Sequence, residues 1–169
     1  MIITIPGKPV GKARPKFRRA GFKVITYTPP ATKKYEKEVA RIYKQSAGVL
    51  YTGIPLRVRI LAKFPISESW SKKNKERALK GEIKPNKKPD LDNIAKIILD
   101  GLNGVAYTDD KQVTSLEIEK VYSDTPCVVV YIAEDDRWRT EECFRQMLYA
   151  QISLLKCRHR LKPGAYTHL

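Results

Sequence analysis

Histidine is nearly missing from this chain: its 169 residues include two, His159 and His168, both within the last eleven positions. Catalysis through a histidine base is therefore not expected. Neither a Gly-x-Ser-x-Gly turn nor a Walker phosphate loop is present to suggest acyl or nucleotide chemistry. The three cysteines, Cys127, Cys143 and Cys157, form no Cys-x-x-Cys pair and no even-numbered framework, so each reads as a small apolar residue in a reducing compartment. Cys157 and His159 lack two further ligands at zinc spacing. No run approaches the ~18 apolar residues that span a bilayer. The opening Met1-Ile2-Ile3-Thr4-Ile5-Pro6 lacks the basic and apolar regions of a secretory signal. The expectation is a cytoplasmic protein without membrane association. A hydrophobic content of 42% suits one core and argues against wholesale disorder. Carboxylates and lysines remain as the chemical groups.

Acidic charge is scarce in the first half. Residues 1–88 carry 23 Lys and Arg against 5 Asp and Glu, whereas residues 89–169 carry 10 against 13, within a net charge of +15. Lys8, Lys12, Arg14, Lys16, Arg18, Arg19 and Lys23 form an arm with no acidic residue among them. A second cluster runs through Lys72, Lys73, Lys75, Arg77, Lys80, Lys84, Lys87 and Lys88, opposed only by Glu76 and Glu82. Such surfaces suit a polyanion, whose counterions are released as its phosphates are neutralised. Lys16, Arg18, Arg19, Lys87 and Lys88 are accordingly candidate DNA contacts. A merely solvated basic face is the plain alternative.

The pattern predicts strands over 2–5 and 22–28 and a Gly- and Pro-broken loop at 7–15. A helix is expected past Pro30, with Tyr35, Val39, Ile42 and Tyr43 on one face. Leu56, Val58, Ile60, Ala62 and Phe64 alternate as one face of a strand, with Arg57, Arg59 and Lys63 mostly on the other. Ser71 caps a short helix over 72–80, and a further helix runs from about Asp92 to Asn103, ended by Gly104. Strands follow over 113–122 and 127–133, the second apolar enough to be central, and a last helix covers about 138–156. The order implies a mixed β-sheet with helices packed on it, an α+β arrangement rather than a doubly wound one. Residues 1–134 are read as one domain, with 135–169 a helical extension packed on it.

Five carboxylates then follow the second basic cluster: Asp90, Asp92, Asp100, Asp109 and Asp110. At helical spacing Leu91, Ile94, Ile97, Ile98 and Leu102 share one face, and Asp92, Lys96 and Asp100 the opposite one. The glycine-bearing connection after the helix is expected to return Asp109 and Asp110 toward its start. Converging carboxylates can hold hard divalent cations, which serve phosphodiester hydrolysis, and Lys96 stands one turn from Asp92 to offset phosphate charge. Each acid also has an ordinary reading, as a cap, an i,i+4 partner or a turn residue.

The segments Asp90-Leu91-Asp92-Asn93-Ile94-x-Lys96, Asp100-Gly101-Leu102 and Asp109-Asp110-x-Gln112-Val113 resemble the RusA family of Holliday-junction resolvases, homodimeric endodeoxyribonucleases common in phages and prophages. Gly7-x-Pro9-x-Gly11-Lys12-x-Arg14-Pro15 and Tyr27-Thr28-Pro29 resemble the start of its phage-type branch, and the likeness covers roughly residues 2–134. It implies a RusA-like fold and a Mg²⁺-dependent (or Mn²⁺-dependent) nuclease that resolves four-way DNA junctions in recombination and repair, in a bacterial host's nucleoid. It assigns metal binding to Asp90, Asp92 and Asp110, with Asp109 not separable from Asp110. It makes Lys96 the catalytic lysine, and Lys12 and Arg14 DNA contacts. A non-catalytic nucleic-acid-binding module is the rival.

Overall fold

β-branched and aromatic residues make up most of the first, third and last strands of the computed structural model, which describes residues 1–135 apart from residue 47. The elements are β1 (Ile2–Pro6), β2 (Lys16–Ala20), β3 (Lys23–Tyr27), α1 (Pro30–Ser46), β4 (Leu56–Pro65), α2 (Lys72–Leu79), α3 (Leu91–Leu102), β5 (Val113–Ser123) and β6 (Cys127–Glu134). The expected helix over 138–156 and the extension over 135–169 lie outside the described residues, save for Asp135.

A four-stranded sheet has the order β1-β6-β4-β5. β6, nearly all apolar, is central as its composition implies, antiparallel to β1 and to β4. The strands joined by the turn at 124–126 do not pair with each other: β5 runs parallel to β4 on its other side. β2 and β3 form a separate antiparallel ribbon. The sheet is mixed, and α1 and α3 pack together with its apolar face. Ile3 and Ile5, Val58 and Ile60, and Val128, Val130 and Ile132 meet Val39 and Tyr43 of α1 and Ile94, Ile97, Ile98 and Leu102 of α3 in one core. Leu91, expected on that stripe, stands 42% exposed at the first position of α3. Cys127 is buried, as a small apolar residue would be. Lys63, expected on the outward face of β4, is also buried.

Helix α3 is held close to α1 because position 101 has no side chain. A Cβ there would stand 2.8 Å from Val39 Cβ and 3.0 Å from the Glu36 carbonyl oxygen. Ser71 caps α2 as its spacing implies, accepting from the Asn74 amide. No helix among the described residues is long and apolar enough to cross a membrane.

Candidate active site

The first turn of α3 is built to present carboxylates. Pro89, joined to Lys88 by a cis peptide bond, precedes Asp90, which is extended at φ −74° and ψ 156°. Asp90 occupies the N-cap, and its backbone oxygen accepts from the Ile94 amide, but its carboxylate makes no capping hydrogen bond. An aspartate serving only as a cap would accept from an amide of the first turn. Asp92 faces solvent one residue inside the helix, and Lys96 Nζ lies 3.4 Å from its Oδ2. That pair is about two-thirds exposed on both sides, so it holds Lys96 by no more than a few tenths of a kcal/mol. Lys96 can exchange it for a phosphate.

The root of the basic arm is clamped onto this same turn. The Lys12 amide donates to the Asn93 carbonyl at 2.7 Å. Gly11 lies so near that a Cβ would meet Pro89 Cβ at 2.5 Å and Asn93 Cβ at 3.2 Å. The Lys12 ammonium turns inward, to Glu36 Oε1 of α1 at 2.6 Å and to Asp100 Oδ2 of α3. Burial pulls its pKa down, but the hydrogen bonds and charges of Asp100 and Glu36 outweigh that, and the net shift is upward. The structure thus gives Lys12 an internal partner pair, while Arg14, Lys16, Arg18 and Arg19 are exposed.

Beyond α3 the chain turns back on the helix C-terminus. Gly104, at φ +73°, donates to the Tyr107 carbonyl, and the buried Tyr107 hydroxyl donates to Leu99 O at 2.9 Å. Burial raises the Tyr107 phenol, and the charges of Asp110 and Asp100 raise it further. Asp109 caps the short 3-10 turn Asp110–Gln112: its Oδ1 accepts from the Lys111 amide at 3.0 Å. That bond, with the Lys111 charge and contact with Asp110, holds the Asp109 carboxyl below its ordinary value. Gln112 completes the capping box, accepting from the Thr108 and Asp109 amides while its Nε2 donates to the Tyr51 and Ile54 carbonyls.

The expectation that Asp109 and Asp110 return to the helix start is therefore corrected. The connection is stapled to the opposite end of α3, and Asp92 and Asp100 alone are about 12 Å apart along a helix. Among the described residues no group of three or more potential ligands is close enough to hold one metal ion. Like charges disperse onto local partners instead: Asp92 to Lys96, Asp100 to Lys12, Asp109 to its own turn. Carboxylate oxygens are the right donors for a hard divalent cation, but one chain does not bring Asp90, Asp92 and Asp110 together.

The second basic cluster is partly engaged. Lys87 Nζ lies 5.0 Å from the Tyr122 ring centre and 5.6 Å from that of Phe64, and donates to Pro65 O. Lys120 Nζ bonds the Lys87 carbonyl, and Lys84 pairs with Glu119. Lys88 is exposed. Four features were not singled out from the sequence. Tyr107 and Glu36 act through distant contacts. Gln112 was signalled by the Asp109-x-x-Gln112 capping spacing. The basic face of α1 was signalled by Lys33, Lys37, Arg41 and Lys44 at helical intervals.

A protein named "Uncharacterized protein YqaN" from Bacillus subtilis (strain 168) is 38% identical over 133 residues, covering 78% of this chain and 94% of that protein. Residues 6–133 match the family described as Endodeoxyribonuclease RusA, so the chain belongs to the RusA family of Holliday-junction-resolving endodeoxyribonucleases, hydrolases of DNA.

Proposed function

We propose that this chain is a Mg²⁺- or Mn²⁺-dependent endonuclease that nicks four-way DNA junctions in recombination and repair, working as a two-fold dimer. The observation that carries this reading is the clamp of Gly11 and Lys12 on Pro89 and Asn93. It makes the acid-free basic arm spring from the turn that displays Asp90 and Asp92. DNA gripped by the arm is presented to those carboxylates.

Asp90, Asp92 and Asp110 would hold the cation, and Asp109, committed to capping, would fix the loop that carries Asp110. A divalent ion on such carboxylates supplies Lewis acidity for water attack and offsets charge on the scissile phosphate. Lys96, loosely paired and one turn from Asp92, stabilises negative charge on the phosphate or orients water. Arg14, Lys16, Arg18, Arg19 and Lys88 bind backbone phosphates, which selects shape more than sequence. Two-fold pairing serves two needs. It supplies the paired cuts that resolution requires, and it allows Asp110 of the partner subunit to approach an Asp90–Asp92 end that its own chain leaves remote.

The test compares labelled four-way junction, flap and linear duplex in Mg²⁺ and in Mn²⁺. The junction is expected to be cut fastest, at symmetry-related positions. Equal rates on all three would replace the resolvase with a less selective nuclease. Binding without cleavage in either metal would mark a non-catalytic module.

A further inference from the structure

The β2–β3 ribbon is an odd object for a protein to carry alone. Two-stranded hairpins are marginal in water without something to pack on, yet among the described residues this one joins no larger sheet, and none of its described side chains is buried. Its register gives it no uniformly apolar face. Phe17 pairs with Thr26 and Arg19 with Val24, so these four share one face. Lys16 pairs with Tyr27 and Arg18 with Ile25, on the other. Apolar and cationic side chains are mixed on both faces, so neither can be laid on a dry protein surface without stranding charge. At the tip, Gly21 takes φ +61° and the next residue, Phe22, is fully exposed between Arg19 and Lys23.

We propose that this ribbon is a branch-reading finger: its cations straddle backbone phosphates while Phe22 stacks on a base whose face is uncovered at the branch point. The inference rests on the reading that the chain acts on branched DNA and adds a subsite to it. Charge favours DNA over a second copy of this chain, because two ribbons meeting would crowd like charges with no acid among residues 8–23 to offset them. Shape favours a branch over a duplex, because in a duplex the base faces are already covered and opening a step costs a few kcal/mol. The finger's foot continues the same surface. Beside Tyr27 and Thr28 lies an open basin of about 680 Å³ lined by Lys33, Lys34 and Lys37, with Arg41 paired to Glu38 at its edge; the three lysines offer a path for the backbone of a flanking arm.

The test uses the full chain with Phe22→Ala and Phe22→Trp, binding a four-way junction and a linear duplex of equal length in metal-free buffer. Phe22→Ala is expected to lose on the order of tenfold in junction affinity, as for removal of one stacking platform, with duplex affinity kept. Phe22→Trp is expected to retain junction affinity. With 5-iodouracil placed at the branch or in an arm, photocrosslinking to Phe22 is expected from the branch alone. Junction affinity unchanged in Phe22→Ala, or equal crosslinking from both positions, overturns the finger. So does a drop in sedimenting mass for Phe22→Ala with junction affinity intact, which would make the tip a contact between copies. Wild type that cuts junctions while Phe22→Ala behaves identically removes only the finger. Wild type that neither prefers nor cuts junctions removes the function and the finger together.

Discussion

The two ends of α3 carry the same functional group in opposite mechanical states. At the N-terminal end Asp90 makes no capping bond, Asp92 pairs with an exposed lysine, and both face solvent. At the C-terminal end Asp100 is gripped by Lys12, Asp109 caps a turn, and the loop is fixed by the buried Tyr107 and Gln112. Carboxylates left loose can change partners when phosphate and cation arrive. Those locked in place set the position of a neighbour, here Asp110. On the proposed reading the loose end offers Asp90 and Asp92 directly, and the locked end fixes where Asp110 stands.

Exchanging the roles of the two ends is the sharpest way to break that contrast. Asp92→Asn is expected to slow junction cleavage on the order of a thousandfold, as for loss of a charge-stabilising group, while junction binding and the urea midpoint stay close to wild type. Asp100→Asn is expected to do the reverse, lowering the midpoint more than the rate; a larger rate loss from Asp100→Asn than from Asp92→Asn would invert the assignment. Gly101→Ala probes the scaffold directly. A methyl 2.8 Å from Val39 Cβ must push α1 and α3 apart, at about 3 kcal/mol in denaturant unfolding. Gln112→Ala strands two amides and two carbonyls that its side chain now satisfies, for about 2 kcal/mol.

The smallest effect concerns Lys12. Its pKa is raised in the folded chain, so its contribution is complete below the ordinary lysine value and fades as pH rises through the raised one. At pH 7 Lys12→Met is expected to be about 1 kcal/mol less stable than wild type, the gap closing in strongly alkaline buffer. In the same variant the salt dependence of junction binding should keep its slope, whereas neutralising Lys16, Arg18 and Arg19 should flatten it by about 0.9 per lost phosphate contact.

Local rules made much of this fold readable. The alternation of β4, the Ser71 cap, the apolar stripe of α3 and the left-handed Gly104 each follow from the chain's own neighbours. What escaped depends on partners far along the chain. The turn at 124–126 gives no hint that β5 crosses to the far side of β4. Lys16–Ala20 reads only as part of the basic arm, with no strand assigned, and its β-structure comes from pairing with Lys23–Tyr27. The pairing of Lys12 with Glu36 and Asp100 was not legible because those partners lie 24 and 88 residues away. The five aspartates were legible as a group, but not their division between two ends of one helix. That division depends on where the Tyr107 hydroxyl lands.

The most direct measurement of the account mixes two inactive chains. Asp92→Asn and Asp110→Asn proteins, differently tagged and shown by co-purification to exchange subunits, are assayed together on a labelled four-way junction in Mg²⁺. If the loose end of one chain and Asp110 of another serve one site, each mixed dimer regains one intact centre. Nicking should then return to about a quarter of the wild-type rate at equal proportions, with half of the dimers mixed and half of their sites whole. Exchange without any return of nicking would contradict a site that joins Asp92 of one chain to Asp110 of another.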